Sequence, residues 1–414
     1  MTRATGTGPF RLLMYGLILA SAAAQFALVP IMPVYAHRLG LSGFQQGLVL
    51  GATGLATLGV SLPAGTLSDR FGARRITLAA GLLMAAATFG QALAGSFPAL
   101  LAARLAFGAG YGVVWTAGLC WLAVGANGPR ALGGSVASAG VGGVAGPAVS
   151  GALTEHLGLA VPLLAAGAGF AVITAGLAVL RVPPGPIAPR GEAAAASLRA
   201  AGRDRNVIGA TAAVVTAGLS TGACALLVPA QLHLAGASSG QIGLAFAAAG
   251  ILFAAGSALT TAVGRRAVNL PVTGLAMLAL TAALWIGVLS TASLMLIVML
   301  CATTAARSVL WTVSYPLAAT AAERRGLGLG AAVGLLNGIW AATAVLGPLG
   351  AGLAAQHLGA RAAFGLTAAA CAAALAVTTA AWRTRTPGPS ARGATDRVPG
   401  RDPARASAAP GAVP

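Results

Sequence analysis

Long apolar stretches separated by short polar breaks run from about residue 10 to residue 382. About 20 consecutive apolar residues suffice for a helix to cross a bilayer. Stretches of that kind fall at 11–36, 44–66, 76–95, 98–124, 131–154, 159–181, 207–232, 239–263, 270–290, 294–321, 328–354 and 360–382. Most breaks are tight, as in Gly95-Ser-Phe-Pro98. The break at 182–206 is longer, with Pro183, Pro184, Pro186, Pro189, Glu192 and several Arg, and it divides the spans six and six. The pattern predicts an all-α integral membrane chain of twelve transmembrane helices in two six-helix halves, 1–181 and 207–382. A cytoplasmic linker at 182–206 joins them, and the tail 383–414, rich in Pro, Gly, Ala and Arg, is expected to be disordered. The first apolar run continues to Tyr35, too long for a cleaved signal peptide, so it reads as a retained span.

The halves repeat each other. Gly146-Pro-Ala-Val-Ser-Gly-Ala-Leu-Thr-Glu-His-Leu-Gly158 matches Gly347-Pro-Leu-Gly-Ala-Gly-Leu-Ala-Ala-Gln-His-Leu-Gly359, and Val113-Val-Trp-Thr116 matches Val309-Leu-Trp-Thr312. Ser42-Gly43 and Gln46-Gly47 find counterparts near Ser239-Gly240 and Gln241–Gly243. Matches in one order at nearly one offset indicate a duplicated six-helix unit.

Composition agrees. The 414 residues are 57% hydrophobic and 8% charged, against about 25% charged in a soluble chain. A formal charge of +18 would suggest nucleic acid in a soluble protein. Here the basic residues are all Arg and gather on one face: the N-terminus, 65–75, Arg130, 181–205, Arg265–Arg266, Arg324–Arg325 and the tail. Only Arg38 and Arg361 fall on the other face, and Arg104 and Arg307 lie inside spans. That asymmetry places both termini in the cytoplasm and excludes nucleic acid as the partner. The four cysteines lie within spans and lack metal-site spacing. None of the seven acids is mid-span, the histidines sit at span ends, and no nucleophile–base pair or phosphate loop is present. Neither an enzyme, a cofactor nor a metal is expected.

The turn between spans 2 and 3, Gly65-Thr-Leu-Ser-Asp-Arg-Phe-Gly-Ala-Arg-Arg75, carries Gly65, Leu67, Asp69, Arg70, Gly72, Arg74 and Arg75 in order. It resembles the G-x-L-x-D-R-x-G-R-R signature of the major facilitator superfamily, and the resemblance extends over about 10–382. It implies a secondary transporter that rocks two halves around a midplane site. It also implies that Asp69 acts as a conformational latch against the start of helix 11, near Gly326–Gly330. A local ion pair with Arg70 or Arg74 is the alternative. The equivalent turn of the second half keeps Arg265 and Arg266 but has no acid.

Two further segments resemble family motifs. Leu101-Ala-Ala-Arg-Leu-Ala-Phe-Gly108 is similar to the helix 4 motif, with Arg104 and Gly108. Gly142, Gly146, Pro147 and Gly151 in span 5 resemble the antiporter-branch motif, with Ser150 in place of one glycine. An Arg in a bilayer costs at least about 2.5–3.5 kcal/mol, so Arg104 either snorkels or finds carbonyls, water or substrate. Arg307 is mid-span. Thr304, Arg307, Ser308, Trp311 and Tyr315 share a helix face, with Tyr111 and Trp115 as the repeat counterparts. These, with Gln25 and Asn337, are the substrate-site candidates; a structural Arg307 held by carbonyls is the alternative, and Gln231 is a further polar candidate.

The expected function is proton-coupled efflux of a small neutral, amphipathic or anionic compound by a monomer in the cell membrane, of the multidrug-resistance kind. The absence of any mid-span carboxylate disfavours cationic drugs. Uptake of a small organic anion, or a transporter-like sensor, is the alternative.

Overall fold

The computed structural model describes residues 7–125, 129–180, 204–324 and 329–383. The expected linker, apart from Asp204–Asn206, and the expected tail, apart from Arg383, lie outside the described residues.

Among the described residues there are twelve long helices. They are α1 (Thr7–Leu39), α2 (Gly43–Phe71), α3 (Ala73–Leu93), α4 (Phe97–Val113, continuing through a π-helical turn at Val114–Gly118 into Leu119–Gly125), α5 (Pro129–Leu157) and α6 (Val161–Val179) in the first half. The second half holds α7 (Arg205–Leu234), α8 (Ser239–Val263), α9 (Leu270–Leu289), α10 (Ser293–Arg324), α11 (Leu329–Leu358) and α12 (Ala360–Arg383). Eleven are long and apolar enough to cross a membrane; α2, with 29 residues, has the length. Helices outrun the apolar spans because their polar end turns remain helical beyond the hydrocarbon: α1 begins before residue 11, and α7 begins at Arg205, capped by Asp204, whose carboxylate accepts from Asn206 N at 2.8 Å.

Packing repeats between the halves. α1 packs on α5 and α6, α4 on α2 and α3, and α3 on α6; likewise α7 on α11 and α12, α10 on α8 and α9, and α9 on α12. The halves meet through α2 against α11 and α5 against α8, which the repeat interchanges. The true register at the helix starts is one residue from the one read in the sequence. Ser42 and Ser238, not Ser239, correspond: each is the N-cap of its helix in a full capping box, with Gln45 and Gln241. The hydroxyl caps the N3 amide while the N3 amide side chain returns to the cap nitrogen.

The face where α1 begins and α12 ends is called here the terminal face, and its opposite the far face. Toward the far face one hydrophobic core runs through both halves, including Leu28, Met32 and Val49 with Leu227, Ile242 and Met299. Toward the terminal face the core divides: Phe10, Met14, Phe107 and Phe170 belong to one body, and Val214, Leu270, Leu317 and Leu336 to another. Among the described residues, the hydrophobic core thus joins the halves toward the far face and is divided between them toward the terminal face.

Gly72, between α2 and α3, has φ 86°, a region L side chains avoid. This accounts physically for the glycine in the signature turn, and its repeat counterpart Gly264 has φ 66°. Gly72→Ala is expected to cost about 1 kcal/mol or more, visible as a lower unfolding temperature in detergent.

Candidate functional site

Arg74 of the signature turn reaches the carboxyl end of α6, donating from Nη2 to Ala178 O at 2.6 Å. A guanidinium there meets carbonyls that no helical N–H satisfies. Arg70 lies over the Phe71 ring, 5.3 Å from its centroid, and Arg75 and Leu67 are exposed. The surroundings of Gly65, the side chain of Asp69, and residues 325–328 ahead of α11 lie outside the described residues, so the expected latch stays a proposal.

The span 5 motif makes close helix packing possible. A Cβ on Gly142 or Gly146 would run into the α1 backbone at Leu19 and Ala23, and one on Gly151 would meet Ser239 O of α8. The carbonyl of Pro147 occupies the space a Cβ on Gly243 would take. The second half copies this: Gly47 of α2 faces Pro348 O, and Gly43 and Gly352 face each other's backbone. Small residues let helices approach this closely in a bilayer. Gly108 works the same way inside the first half, its α-carbon lying against Thr53 of α2.

Arg104 neither snorkels nor faces a cleft. It is 1% exposed. Its Nη2 donates to Gln25 O at 2.8 Å and Gln25 Oε1 at 3.1 Å, and its Nη1 approaches Gln91 Oε1 at 3.5 Å. Its guanidinium carbon lies 5.0 Å from the Phe107 ring centroid. Gln25, a substrate-site candidate from the sequence, here orients Arg104. Gln91 escaped the sequence reading, although it is a polar residue in an apolar span.

Arg307 differs. It is only half-buried. Its guanidinium donates to Thr304 Oγ1 one turn back on its own helix at 3.2 Å and lies 5.9 Å from the Phe253 ring centroid on α8. One turn further, Trp311 stacks edge-on against Tyr315 (5.4 Å) and Trp340 of α11 (4.7 Å), and Tyr315 donates its hydroxyl to Asn337 Oδ1 at 2.7 Å. Trp311, Tyr315 and Asn337 thus form one cluster with Trp340, and Arg307 lies one turn away on the same helix face with Phe253; the sequence singled out neither Trp340 nor Phe253. Trp340 lies one turn from Asn337, a spacing that could have shown it.

Tyr111 and Trp115 form a separate cluster in the first half, with ring centroids 5.8 Å apart and Tyr111 against Phe107 at 6.2 Å. Trp115 sits in the π-helical turn, where Thr116 Oγ1 donates to Gly112 O and Val113 O. Its indole Nε1 is buried without a hydrogen-bond partner among the described residues. Such turns re-aim side chains and recur at functional sites.

Two pseudo-symmetric six-helix bundles, joined through α2 against α11 and α5 against α8, define the scaffold of a membrane transporter. The family model of the Major Facilitator Superfamily matches residues 14–333, and again 211–410. The chain belongs to that superfamily, and it is a multi-pass membrane protein.

Among relatives, the uncharacterized MFS-type transporter YuxJ of Bacillus subtilis is 35% identical over 139 residues, 32% of this chain and 35% of that protein. The quinolone resistance protein NorA of Staphylococcus aureus is 33% identical over 86 residues, 21% of this chain and 22% of NorA. These alignments span about a third and a fifth of the relatives' lengths. Among solved structures, a bacterial homolog of the human lysosomal transporter Spinster, in its inward-facing and unoccupied conformation, superposes with TM-score 0.77 at 17% identity, covering 92% of this chain and 98% of that one. The nucleoside transporter NupG superposes with TM-score 0.72 at 12% identity, covering 91% and 100%.

Proposed function

We propose that this transporter exports a small neutral, amphipathic or anionic compound across the cell membrane in exchange for protons, with its termini in the cytoplasm. The observation that carries the substrate class is Arg307. A guanidinium halfway along a membrane helix, half-buried on the helix face that carries Trp311 and Tyr315, has a hydroxyl, a ring face and the Cys224 thiol near it and no carboxylate partner among the described residues. A cation so placed is costly unless a partner arrives, and an anionic or strongly polar group on an otherwise apolar ligand supplies one. The aromatic rings give that ligand flat apolar walls. The antiporter-like glycines of α5 and the partial similarity to NorA, a quinolone resistance protein, support export. Asp69 is assigned the latch on the terminal face.

Accumulation assays in cells lacking other exporters, across a panel of anionic, neutral and cationic compounds and with or without a protonophore, test this reading. The expected result is lower accumulation of anionic or neutral amphipathic compounds, abolished by the protonophore, and a fall in export of about tenfold or more in Arg307→Ala. Uptake of a small organic anion instead would overturn the direction, and undiminished export in Arg307→Ala would overturn the site.

A further inference from the structure

On the far face the two halves are tied by a matched pair of contacts. Glu155, in the last turn of α5, reaches the start of α8. Its Oε2 accepts from Ser238 Oγ at 2.7 Å and from Gly240 N at 3.1 Å. Gln356, its repeat counterpart at the end of α11, reaches the start of α2, where its Oε1 accepts from Phe44 N at 3.2 Å. Gly240 and Phe44 are the second residues of their helices, so each side chain takes one of the amides that no carbonyl of the same helix can satisfy. Both contacts cross between halves, at the glycine-lined ends that hold the far face shut.

The two differ in one respect: one partner is an acid, the other an amide. At α8 the Ser238 hydroxyl accepts from Gln241 N at 3.2 Å, so its hydrogen is free to go to Glu155. Two donors and the positive end of a helix then converge on one carboxylate oxygen. A proton on Glu155 removes the charge and places a donor among donors. The Gln356 contact has no such response.

We infer that Glu155 is a proton-binding gate residue: deprotonated, it clasps the start of α8 and holds the far face closed, and protonated, it releases that clasp while Gln356 holds its own. This goes beyond the export reading by naming where a proton acts, and it rests on that reading only for alternating access. Glu155 is exposed, so protons reach it from bulk water. Other titratable or charged groups on this face are His156 on α5 itself, His37 and Arg38 in the last turn of α1, His233 in the last turn of α7, His357 in the last turn of α11 beside Gln356, and Arg361 in the first turn of α12. The far-face ends of α6, α8 and α10 carry none.

The test uses the full chain in lipid nanodiscs, with Cys120 and Cys301 replaced by serine. Spin labels at Leu157 and Leu234, 63% and 79% exposed beside the two contact turns, report the distance across the gate. Lowering the pH from about 7.5 to about 3.5, through the ordinary carboxylate range, is expected to raise the open-to-closed ratio about two- to fivefold, as befits a surface carboxylate at a helix end. Glu155→Gln, which keeps an acceptor oxygen like that of Gln356, should stay closed with its pH response lost. Glu155→Ala should be more open at every pH, and moving the acid across, Glu155→Gln with Gln356→Glu, should restore the response. A wild-type pH response in Glu155→Gln, which the histidines could produce, overturns the proposal, as does an unchanged closed fraction in Glu155→Ala. Because the readout is a distance, failure of the export assay leaves it standing.

Discussion

Leucine at Gly243 is expected to stop transport almost completely while leaving the protein folded. The α-carbon of Gly243 lies where a Cβ would meet the carbonyl oxygen of Pro147 and the Gly151 α-carbon. These are backbone atoms and cannot turn aside as a flexible side chain can. Forcing extra carbons into a packed contact costs about 1–3 kcal/mol even where side chains yield, and a backbone wall should put the cost at the upper end or beyond. The cost falls on the state in which α5 and α8 touch on the far face. Packing within each half, such as α1 on α5 or α8 on α10, is untouched. Each 1.4 kcal/mol moves a two-state equilibrium about tenfold, so the closed-far-face state should fall by about a hundredfold, and transport with it. Gly47→Leu, facing Pro348 O across the equivalent seam, should do the same. Gly59→Ala on α2, where nothing lies within 4 Å of the added carbon, should leave flux near wild type. Flux in proteoliposomes, with elution volume and unfolding temperature as folding controls, checks the trio.

The pattern of apolar runs carried most of the fold because lipid demands it. A span must hold about 20 apolar residues and satisfy its own backbone, so both facts are written locally. The Gly146–Gly158 and Gly347–Gly359 repeat was likewise visible, because backbone-to-backbone packing restricts the choice of residue at both copies. What stayed hidden depends on partners distant in the chain. Gln25 and Arg104 are 79 residues apart, and nothing local in either says they meet. Glu155 could be read in the sequence only as an acid near a span end that could titrate, because its contact is with the start of α8, 85 residues on. The repeat register slipped by one at Ser42 because Ser238 and Ser239 are both serines, and only the capping geometry separates them. The π-helical turn at Trp115 gave no signal either, because one extra residue per turn leaves the apolar content of the span unchanged. The aromatic stripe on α10 was legible as periodicity, whereas its completion by Phe253 and Trp340 from α8 and α11 required the packed bundle.

The second large effect is expected at Arg104, and it concerns folding and not transport. Arg104 is closed off from solvent, with its charge spread over Gln25 O, Gln25 Oε1 and, at longer range, Gln91 Oε1. Tyr35 extends the network by donating its hydroxyl to Gln91 O at 2.7 Å. Three helices, α1, α3 and α4, thus converge on one side chain. Arg104→Ala removes the stem that fills the space beside Phe107 and strands two amide oxygens in an apolar interior. A cavity of that size and buried acceptors without donors cost about 3 kcal/mol or more together, which should lower the unfolding temperature in detergent by about 5–10 °C. The converse change separates packing from charge. Gln25→Leu keeps the volume but removes one acceptor from a buried cation, and losing a buried charge's partner is among the costliest single changes. Combining Gln25→Leu with Arg104→Met removes the charge and its acceptor together. The double variant should therefore be more stable than Gln25→Leu alone, a coupling that a snorkelling or solvent-facing Arg104 could not produce. If both single changes instead leave the unfolding temperature at the wild-type value, the buried network is not what binds α1, α3 and α4 together.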